Sequence, residues 1–386
     1  MNKWCKSAVC LALCTGLFLS LSACTSFMEL YERLLIHGIG IDCGKNGYVV
    51  TVRSSTSSEE EGEEFFKSEG ETVLEALNNL SLLTGREPFY SHNYLVVFGR
   101  ECAKEGLDSS LDFFVRYYNT RPAVKMFLAE NTAEEVLGAE KDGKLLRMSE
   151  LQQLANSSRY NGKTVGMDIL EFVNGVRREG SSPYLPVLKA GEDGVKVVAT
   201  AIFDGYRLQD YLTLEETRGL LMIRNQVEKG ESVISDEAFG TVTLSISTRE
   251  GKTQVTLGED GRPRFLVKIQ AEADISAISG GRTRFESGAY GKLEACVGEE
   301  LQRQAEDAIR TAVLKNSCDI FGFGNLLYQK YPSFWKGLDW EKQMAECSYV
   351  VQVETKVQRI EEETFDVLGG KASDKCRNEA ASSLPE

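Results

Sequence analysis

The sequence predicts an α+β fold in a multi-domain chain, on three observations. Strand-like and helix-like segments alternate in the first half, strand patterns dominate residues 241–278, and a long helical stripe follows them. The chain has 386 residues, which is more than a single hydrophobic core usually supports. We therefore expect a mixed N-terminal part and a C-terminal antiparallel sheet packed by a long amphipathic helix.

The N-terminus has the pattern of a bacterial lipoprotein signal. Two lysines precede an apolar run of about a dozen residues, and Leu21-Ser22-Ala23-Cys24 closes it. This tetrapeptide has the apolar residue, the two small residues and the cysteine that lipid transfer and cleavage require. The run is shorter than the roughly 20 residues of a membrane-spanning helix. We expect residues 1–23 to be removed and Cys24 to carry a diacylglyceryl anchor.

The composition is acidic, with a formal net charge of −14 at pH 7. Such a chain is repelled by nucleic acid and by anionic lipid headgroups, so the expected contact with the membrane is the lipid on Cys24. The cysteines after Cys24 are widely spaced and contain no CxxC pattern, so neither a redox motif nor a zinc knuckle is supported. We expect most of them to be small buried hydrophobes, with room for one disulfide.

In the first half, two apolar runs flank Asn46-Gly47, which predicts a β-hairpin over residues 34–52. Glu59 to Glu64 is an acidic run and predicts a solvated loop. Further elements are predicted from periodicity and turn residues: a helix over 70–84 before Gly85, a strand over 94–98, a helix over 110–118, a strand over 124–128, a helix from the candidate N-cap Asn131 to Leu137, helical character over 147–178 and a connector at 180–183.

In the second half, alternating apolar residues predict strands, and a stripe with a spacing of three or four residues predicts a helix over 290–314. The predicted strands are 195–203, 241–248, 252–257, 265–278 and 348–357, with turns at Glu250-Gly251 and Asp260-Gly261. The domain organisation that follows is a signal peptide over 1–23, an N-terminal α+β region of two subdomains over 24–190, a C-terminal sheet with the long helix over 191–366, and a disordered tail over 367–386.

Several short motifs recur along the chain in a distinctive order. They include Gly38-Ile39-Gly40-Ile41-Asp42, Tyr90-Ser91-His92-Asn93, Arg121-Pro122, Tyr184-Leu185-Pro186, Asp319-Ile320-Phe321-Gly322-Phe323-Gly324, Lys330-Tyr331-Pro332 and Trp335. On these motifs, which span about residues 24 to 360, the chain resembles the Ger(x)C family, the lipoprotein C subunits of spore germinant receptors.

The resemblance implies a multi-domain α+β ectodomain on the outer face of the inner spore membrane, with no known enzymatic activity. It also implies two membrane partners, an A-type subunit with a soluble domain and a transporter-like B-type subunit. The candidate structural or partner-contact residues that the motifs supply are Gly40, Asp42, His92, Arg121, Gly322, Gly324, Pro332 and Trp335.

The residues themselves argue against an enzyme. The chain has two histidines, His37 and His92, and neither lies near a GxSxG motif or a nucleophilic cysteine. A structural place in a strand is expected for His37, and a role in orienting a turn for His92. The glycines around Gly40 precede a hairpin instead of a helix, so a dinucleotide site is not supported. No cofactor and no metal ion is expected.

Gly322 and Gly324 are expected to let the chain reverse and seat neighbouring aromatic residues. Core packing of Phe321, Phe323 and Trp335 is one interpretation, and a partner surface is the other. The leading hypothesis for the function is a non-enzymatic, lipid-anchored receptor subunit needed for assembly and signalling. The alternatives are a solute-binding lipoprotein of a transport system and, with less support, a lipid-anchored cell-wall hydrolase.

Overall fold

The computed structural model describes Trp4 and residues 30–55, 63–116, 123–237, 239–279 and 287–358. They form two large sheets with helices packed against them, which confirms the predicted α+β class. Several predictions fall outside these residues, namely the anchor at Cys24, the candidate contact Arg121, the disordered tail over 367–386 and, apart from Trp4, the signal peptide over 1–23.

Nine strands form the first sheet. They are β1 (Arg33–Gly44), β2 (Gly47–Ser55), β3 (Glu63–Gly70), β4 (Glu87–Phe89), β5 (Leu95–Phe98), β6 (Lys125–Ala129), β9 (Tyr184–Gly191), β10 (Gly194–Asp204) and β11 (Arg207–Leu212). Their order is β11-β10-β9-β6-β5-β1-β2-β3, with β4 beside the start of β1. The central pairs are parallel, and antiparallel strands flank them on both sides. The short strands β7 (Glu140–Lys141) and β8 (Lys144–Leu145) form a separate ladder.

The hairpin predicted at Asn46-Gly47 is confirmed as β1–β2, where Gly44 pairs with Gly47. The acidic run is not entirely a loop, because Glu63 and Glu64 belong to β3 and pair with β2. Of the nine strands in this sheet, β3, β4, β9 and β11 were not predicted.

Seven helices accompany the first sheet. They are α1 (Val73–Thr84), α2 (Arg100–Glu105), α3 (Asp108–Arg116), α4 (Ala133–Leu137), α5 (Met148–Leu154), α6 (Ser158–Asn161) and α7 (Ile169–Arg177). The N-cap of α4 is Thr132, whose hydroxyl accepts the Glu135 N–H at 3.2 Å. The prediction of Asn131 was wrong by one residue, since the Asn131 side chain donates to the Glu135 carboxylate instead.

The second sheet has the order β12 (Gly230–Asp236), β13 (Gly240–Leu257), β14 (Pro263–Ser279) and β15 (Ser348–Gln358). It corrects two expectations. Residues 240–257 form one strand, and an irregular register between Thr248 and Glu250 takes the place of the predicted turn. The last strand runs parallel to β14, so the sheet is not purely antiparallel. A parallel return needs a long crossover, which the helices between β14 and β15 provide.

The predicted amphipathic helix is confirmed as α9 (Ser287–Ile309), which continues as a π-helical segment over Arg310–Lys315. Its buried stripe consists of Leu293, Val297, Leu301, Ala305, Ile309, Ala312 and Val313. This stripe packs against β15 and against α8 (Leu214–Ile223). The chain then forms α10 (Phe323–Lys330), α11 (Pro332–Trp335) and α12 (Trp340–Gln343). Within the described ranges, no helix combines the length and the hydropathy that a bilayer crossing requires.

The two sheets share one continuous buried cluster that includes Phe203 of β10, Leu220 of α8 and Leu301 of α9. The predicted domain boundary between residues 190 and 191 falls in the hairpin where Gly191 pairs with Gly194. Both strands of that hairpin belong to the first sheet, and the second sheet begins at Gly230. The division into domains stays a prediction.

Candidate functional site

Of the predicted site residues that the structure describes, four lie at two internal joints, and His92, Pro332 and Trp335 lie at the surface. The first joint lies where β1 ends. The Asp42 carboxylate accepts the N–H groups of Ala133 at 2.8 Å and Glu134 at 3.0 Å, the first two residues of α4. Burial raises the pKa of Asp42, and these two hydrogen bonds oppose that rise. A carboxylate at a helix N-terminus satisfies exposed N–H donors and complements the helix dipole. Asp42 thus holds α4 on the first sheet.

Small residues make room for this contact. A methyl group on Gly40 would lie 2.5 Å from Leu137 Cδ1 and 3.0 Å from Ala133 Cβ, and one on Gly38 would lie 2.5 Å from Met148 Sδ. The Gly38-x-Gly40-x-Asp42 motif therefore fits a docking surface for α4 and α5. A disulfide between Cys43 and Cys102, with Cα atoms 5.0 Å apart, ties the next residue of β1 to α2.

An ion cluster next to this joint was missed from the sequence. The fully buried Arg53 donates to the Leu137 carbonyl oxygen at 2.6 Å, and its Nη2 lies 3.2 Å from Glu63 Oε2. The other Glu63 oxygen lies 3.0 Å from His37 Nδ1. Burial lowers the pKa of Arg53, and the charge of Glu63 opposes that. The cluster links three strands to α4, which is a structural role for His37. The only signal for it was an arginine among the apolar residues of β2.

The second joint centres on Asp319, between the π-helical segment and α10. Its side chain is 1% exposed and accepts three backbone N–H groups, from Gly322 at 2.8 Å, Phe323 at 3.0 Å and Gly324 at 2.6 Å. The Asp319 carbonyl oxygen accepts the Ser182 N–H, and the Asp319 N–H donates to the Ser182 hydroxyl, which belongs to the connector. The carboxyl group therefore caps α10 and fixes the chain that enters from the first sheet.

Two glycines meet at this joint. A methyl group on Gly324 would lie 2.7 Å from Gly180 Cα and 2.6 Å from Trp340 Nε1. Gly180 has a φ of 61°, which disfavours any residue with a Cβ. Gly322 has a φ of 82° and provides the predicted reversal of the chain. Gly324 lies inside α10, where the absence of a side chain allows the close approach of Gly180 and Trp340.

The aromatic residues of the motif split between core and surface. Phe323 is buried against Phe265, with ring centroids 5.1 Å apart, and Phe321 stacks on Phe323 at 5.0 Å. Trp335 is half-buried, and its Nε1 donates to Glu179 at 3.3 Å. Pro332 is exposed at the first position of α11. Core packing thus accounts for the phenylalanines, while Trp335 and Pro332 lie at the surface.

His92 is exposed in the turn before β5, and its ring centroid lies 6.1 Å from that of Phe89. In the part of the chain that the structure describes, its side chain forms no hydrogen bond. Arg121 lies outside the described residues. His92 takes part in neither joint, and its role as a structural or partner-contact residue stays a prediction.

In the described ranges no group of three or more His, Cys, Asp and Glu side chains could hold a metal ion. Cys318 and Cys347 are buried, and burial raises the pKa of both thiols to about 12. A thiol that stays protonated is a poor nucleophile. Cys296 is a free, half-buried thiol on α9.

The titration of Asp319 gives a testable dependence of stability on pH. Burial raises its pKa from 3.8 to about 6, and the three N–H donors oppose that rise. Between about pH 4 and pH 6 the folded protein binds more protons than the unfolded chain, so the free energy of unfolding should fall as the pH rises through this interval and level off above it. Urea unfolding at several pH values measures how the free energy of unfolding changes over this interval. Asp319→Asn cannot titrate and should show a flatter profile; equal slopes for both proteins would contradict the assignment.

Comparisons with known proteins match both halves of the chain. The family model "Spore germination protein N-terminal domain" matches residues 26–190, and "Spore germination B3/ GerAC like, C-terminal" matches residues 199–361. Spore germination protein KC of Bacillus subtilis (strain 168) is 25% identical over 388 residues, covering 88% of this chain and 92% of that protein. Spore germination protein GerQC of Bacillus cereus is 18% identical over 299 residues, covering 77% and 83%.

The fold also has a counterpart among solved structures. The crystal structure of the GerBC protein superposes with a TM-score of 0.54 at 16% sequence identity. The match covers 83% of this chain and 97% of that chain. At this level of identity the likeness concerns the fold alone.

Proposed function

Because the chain belongs to the Ger(x)C family of spore germination proteins, we propose that it is the lipid-anchored C subunit of a nutrient germinant receptor. Its role there is receptor assembly and signalling, without enzymatic chemistry. The observation that carries the proposal is the pair of family matches, which follow one another over residues 26–361 and take in both sheets. The partners are A-type and B-type membrane subunits.

The proposed attachment is the lipid on Cys24, which places the protein on the outer face of the inner spore membrane. Two features support it. The lipoprotein motif Leu21-Ser22-Ala23-Cys24 stands just before the region that the first family model matches. In addition, the net charge of −14 opposes binding to anionic headgroups, so a covalent lipid is the anchor that the chain offers.

The candidate contact residues divide by their place in the fold. Gly40, Asp42, Gly322 and Gly324 lie at the two joints, where they fix helices to the sheets. His92, Pro332 and Trp335 reach the surface. We assign subunit contact to this second set, with Trp335 as its anchor, because tryptophan is enriched among the residues that dominate the binding energy of protein interfaces.

The test is a pull-down of the tagged full chain from detergent-solubilised spore inner membranes, followed by identification of bound proteins. The wild type should recover A-type and B-type subunits. Cys24→Ala should abolish retention in the membrane fraction and lower that recovery, because no acyl chain is attached. Cys296→Ala is the matched control, since it removes a free cysteine from the ectodomain and should behave as the wild type. Trp335→Ala should lower recovery while membrane retention is kept.

Two results would overturn the proposal. Recovery of a transport permease, or of no membrane protein, would refute receptor membership and favour a solute-binding lipoprotein. Full membrane retention of Cys24→Ala would refute the lipid anchor.

A further inference from the structure

A polar cleft of about 600 Å³ lies beside the second joint. Its walls are the segment that contains α6, the C-terminal half of α7, the connector at 181–184 and the residues that end α8. Its volume lies within the range of small-molecule sites, which is roughly 300–1,000 Å³. The cleft is formed by residues from segments far apart in sequence, so its shape depends on the tertiary fold.

The cleft concentrates positive charge in an acidic protein. Lys125, Arg159, Arg178 and Arg224 line it, against two carboxylates, Glu171 and Glu228. The Glu171 carboxylate is already engaged, because it accepts the Asp168 N–H at 3.1 Å in the capping box of α7. The chain as a whole carries a net charge of −14, so this local excess of cations is not a consequence of composition.

The exposed arginines of the cleft form no other polar contact among the described residues. Arg159 and Arg178 are exposed, and in the described part of the chain neither side chain forms an ion pair or a hydrogen bond. Surface arginines elsewhere commonly pair, as Arg303 does with Glu300 and Asp307. The two guanidinium groups are thus available to a ligand.

Arg224 is the deeper cation and is held in place. Its Nη1 donates to the Ile320 carbonyl oxygen at 3.1 Å, and its guanidinium carbon lies 5.7 Å from the centre of the Tyr184 ring. Its Nε is buried and has no hydrogen-bond partner among the residues that the structure describes. Buried polar groups are nearly always hydrogen-bonded, so this donor is short of an acceptor.

We propose that this cleft binds a small solute that carries a carboxylate or phosphate group. Guanidinium groups recognise both oxyanions through paired N–H donors, and three arginines line one cleft here. The amides of Asn174, Asn225 and Gln226, which also line the cleft, provide donors and acceptors for the rest of the solute. This site goes beyond the proposed receptor membership and does not depend on it.

Calorimetric titration of the full chain in neutral detergent tests the proposal. The probes are inorganic phosphate, succinate and phosphatidylglycerol dissolved in micelles of the same detergent, all at an ionic strength held constant with chloride. At least one soluble anion should bind saturably, and Arg159→Gln and Arg178→Gln should each weaken that binding roughly tenfold. Arg147→Gln is the matched control, because it removes the same charge from an exposed arginine outside the cleft and should leave the affinity unchanged.

The choice of probes also distinguishes a free anion from a lipid headgroup as the source of the oxyanion. Binding of phosphate alone or succinate alone supports the proposal and identifies the headgroup chemistry. An equal loss in Arg147→Gln would show a general charge effect and overturn the site. The absence of saturable binding by both soluble anions up to about 10 mM would overturn it too, as would binding of the micellar phosphatidylglycerol only.

Discussion

Asp319→Ala should lower the free energy of unfolding by about 3 kcal/mol at pH 5. At this pH the carboxyl group is mostly uncharged in the folded protein, because its pKa lies at about 6. The substitution leaves the N–H groups of Gly322, Phe323 and Gly324 without their acceptor. Each unsatisfied buried donor costs about 1 kcal/mol or more. Urea unfolding followed by circular dichroism measures the loss.

Asp339→Ala is the matched control for this prediction. Asp339 is the N-cap of α12, and its side chain is exposed and accepts the Lys342 N–H at 3.4 Å. Loss of a solvated cap typically costs about 1 kcal/mol, since water replaces the lost acceptor. If Asp319→Ala costs no more than this control, Asp319 is not the group that holds the joint together.

The effect should be smaller at pH 7 than at pH 5. Above pH 6 the folded wild type carries a buried charge at Asp319 whose desolvation is unfavourable. The alanine variant does not have this desolvation penalty, so the decrease in its free energy of unfolding relative to the wild type is smaller.

Elements whose pattern is local could be predicted from the sequence. The β1–β2 hairpin follows from Asn46-Gly47, and α9 follows from an apolar stripe long enough to define its period. The strand β9 was not predicted, and it contains Pro186, a residue that central strands disfavour. In the structure Pro186 pairs with Thr200 of β10, and the short ladder of β9 with β6 contains only Val187 and Leu188.

The direction of β15 could not be predicted, because alternation is the same in parallel and antiparallel strands. Its pairing with β14 depends on where the helices between them return the chain, which is a property of the tertiary fold.

The motifs identified residues of the joints but not their partners. Asp42 and Gly40 stood out in the sequence, yet the helix that they hold begins at Ala133. The Arg53–Glu63 pair was missed because Glu63 lies in an acidic run, and such runs are usually solvated. Tertiary contacts of this kind are absent from any local pattern.

Gly324→Ala should lower the free energy of unfolding by about 2 to 4 kcal/mol. The added methyl group would meet the Gly180 backbone at 2.7 Å and the buried indole of Trp340 at 2.6 Å, and neither can rotate away as a flexible side chain could. Relief then requires α10 to move away from the connector, which breaks well-packed contacts. The wild type and the variant are compared by urea unfolding with intrinsic tryptophan fluorescence.

Gly291→Ala makes the same chemical change with the opposite expected sign. Gly291 is exposed inside α9, and a methyl group there would have no atom within 4 Å. Alanine in a helix interior is favoured over glycine by about 0.5 to 1 kcal/mol, so this variant should be more stable than the wild type. A stable Gly324→Ala protein would mean that the two backbones do not approach closely at this joint. The opposite signs would instead show that the cost at Gly324 comes from the packing of the joint and not from the loss of a glycine.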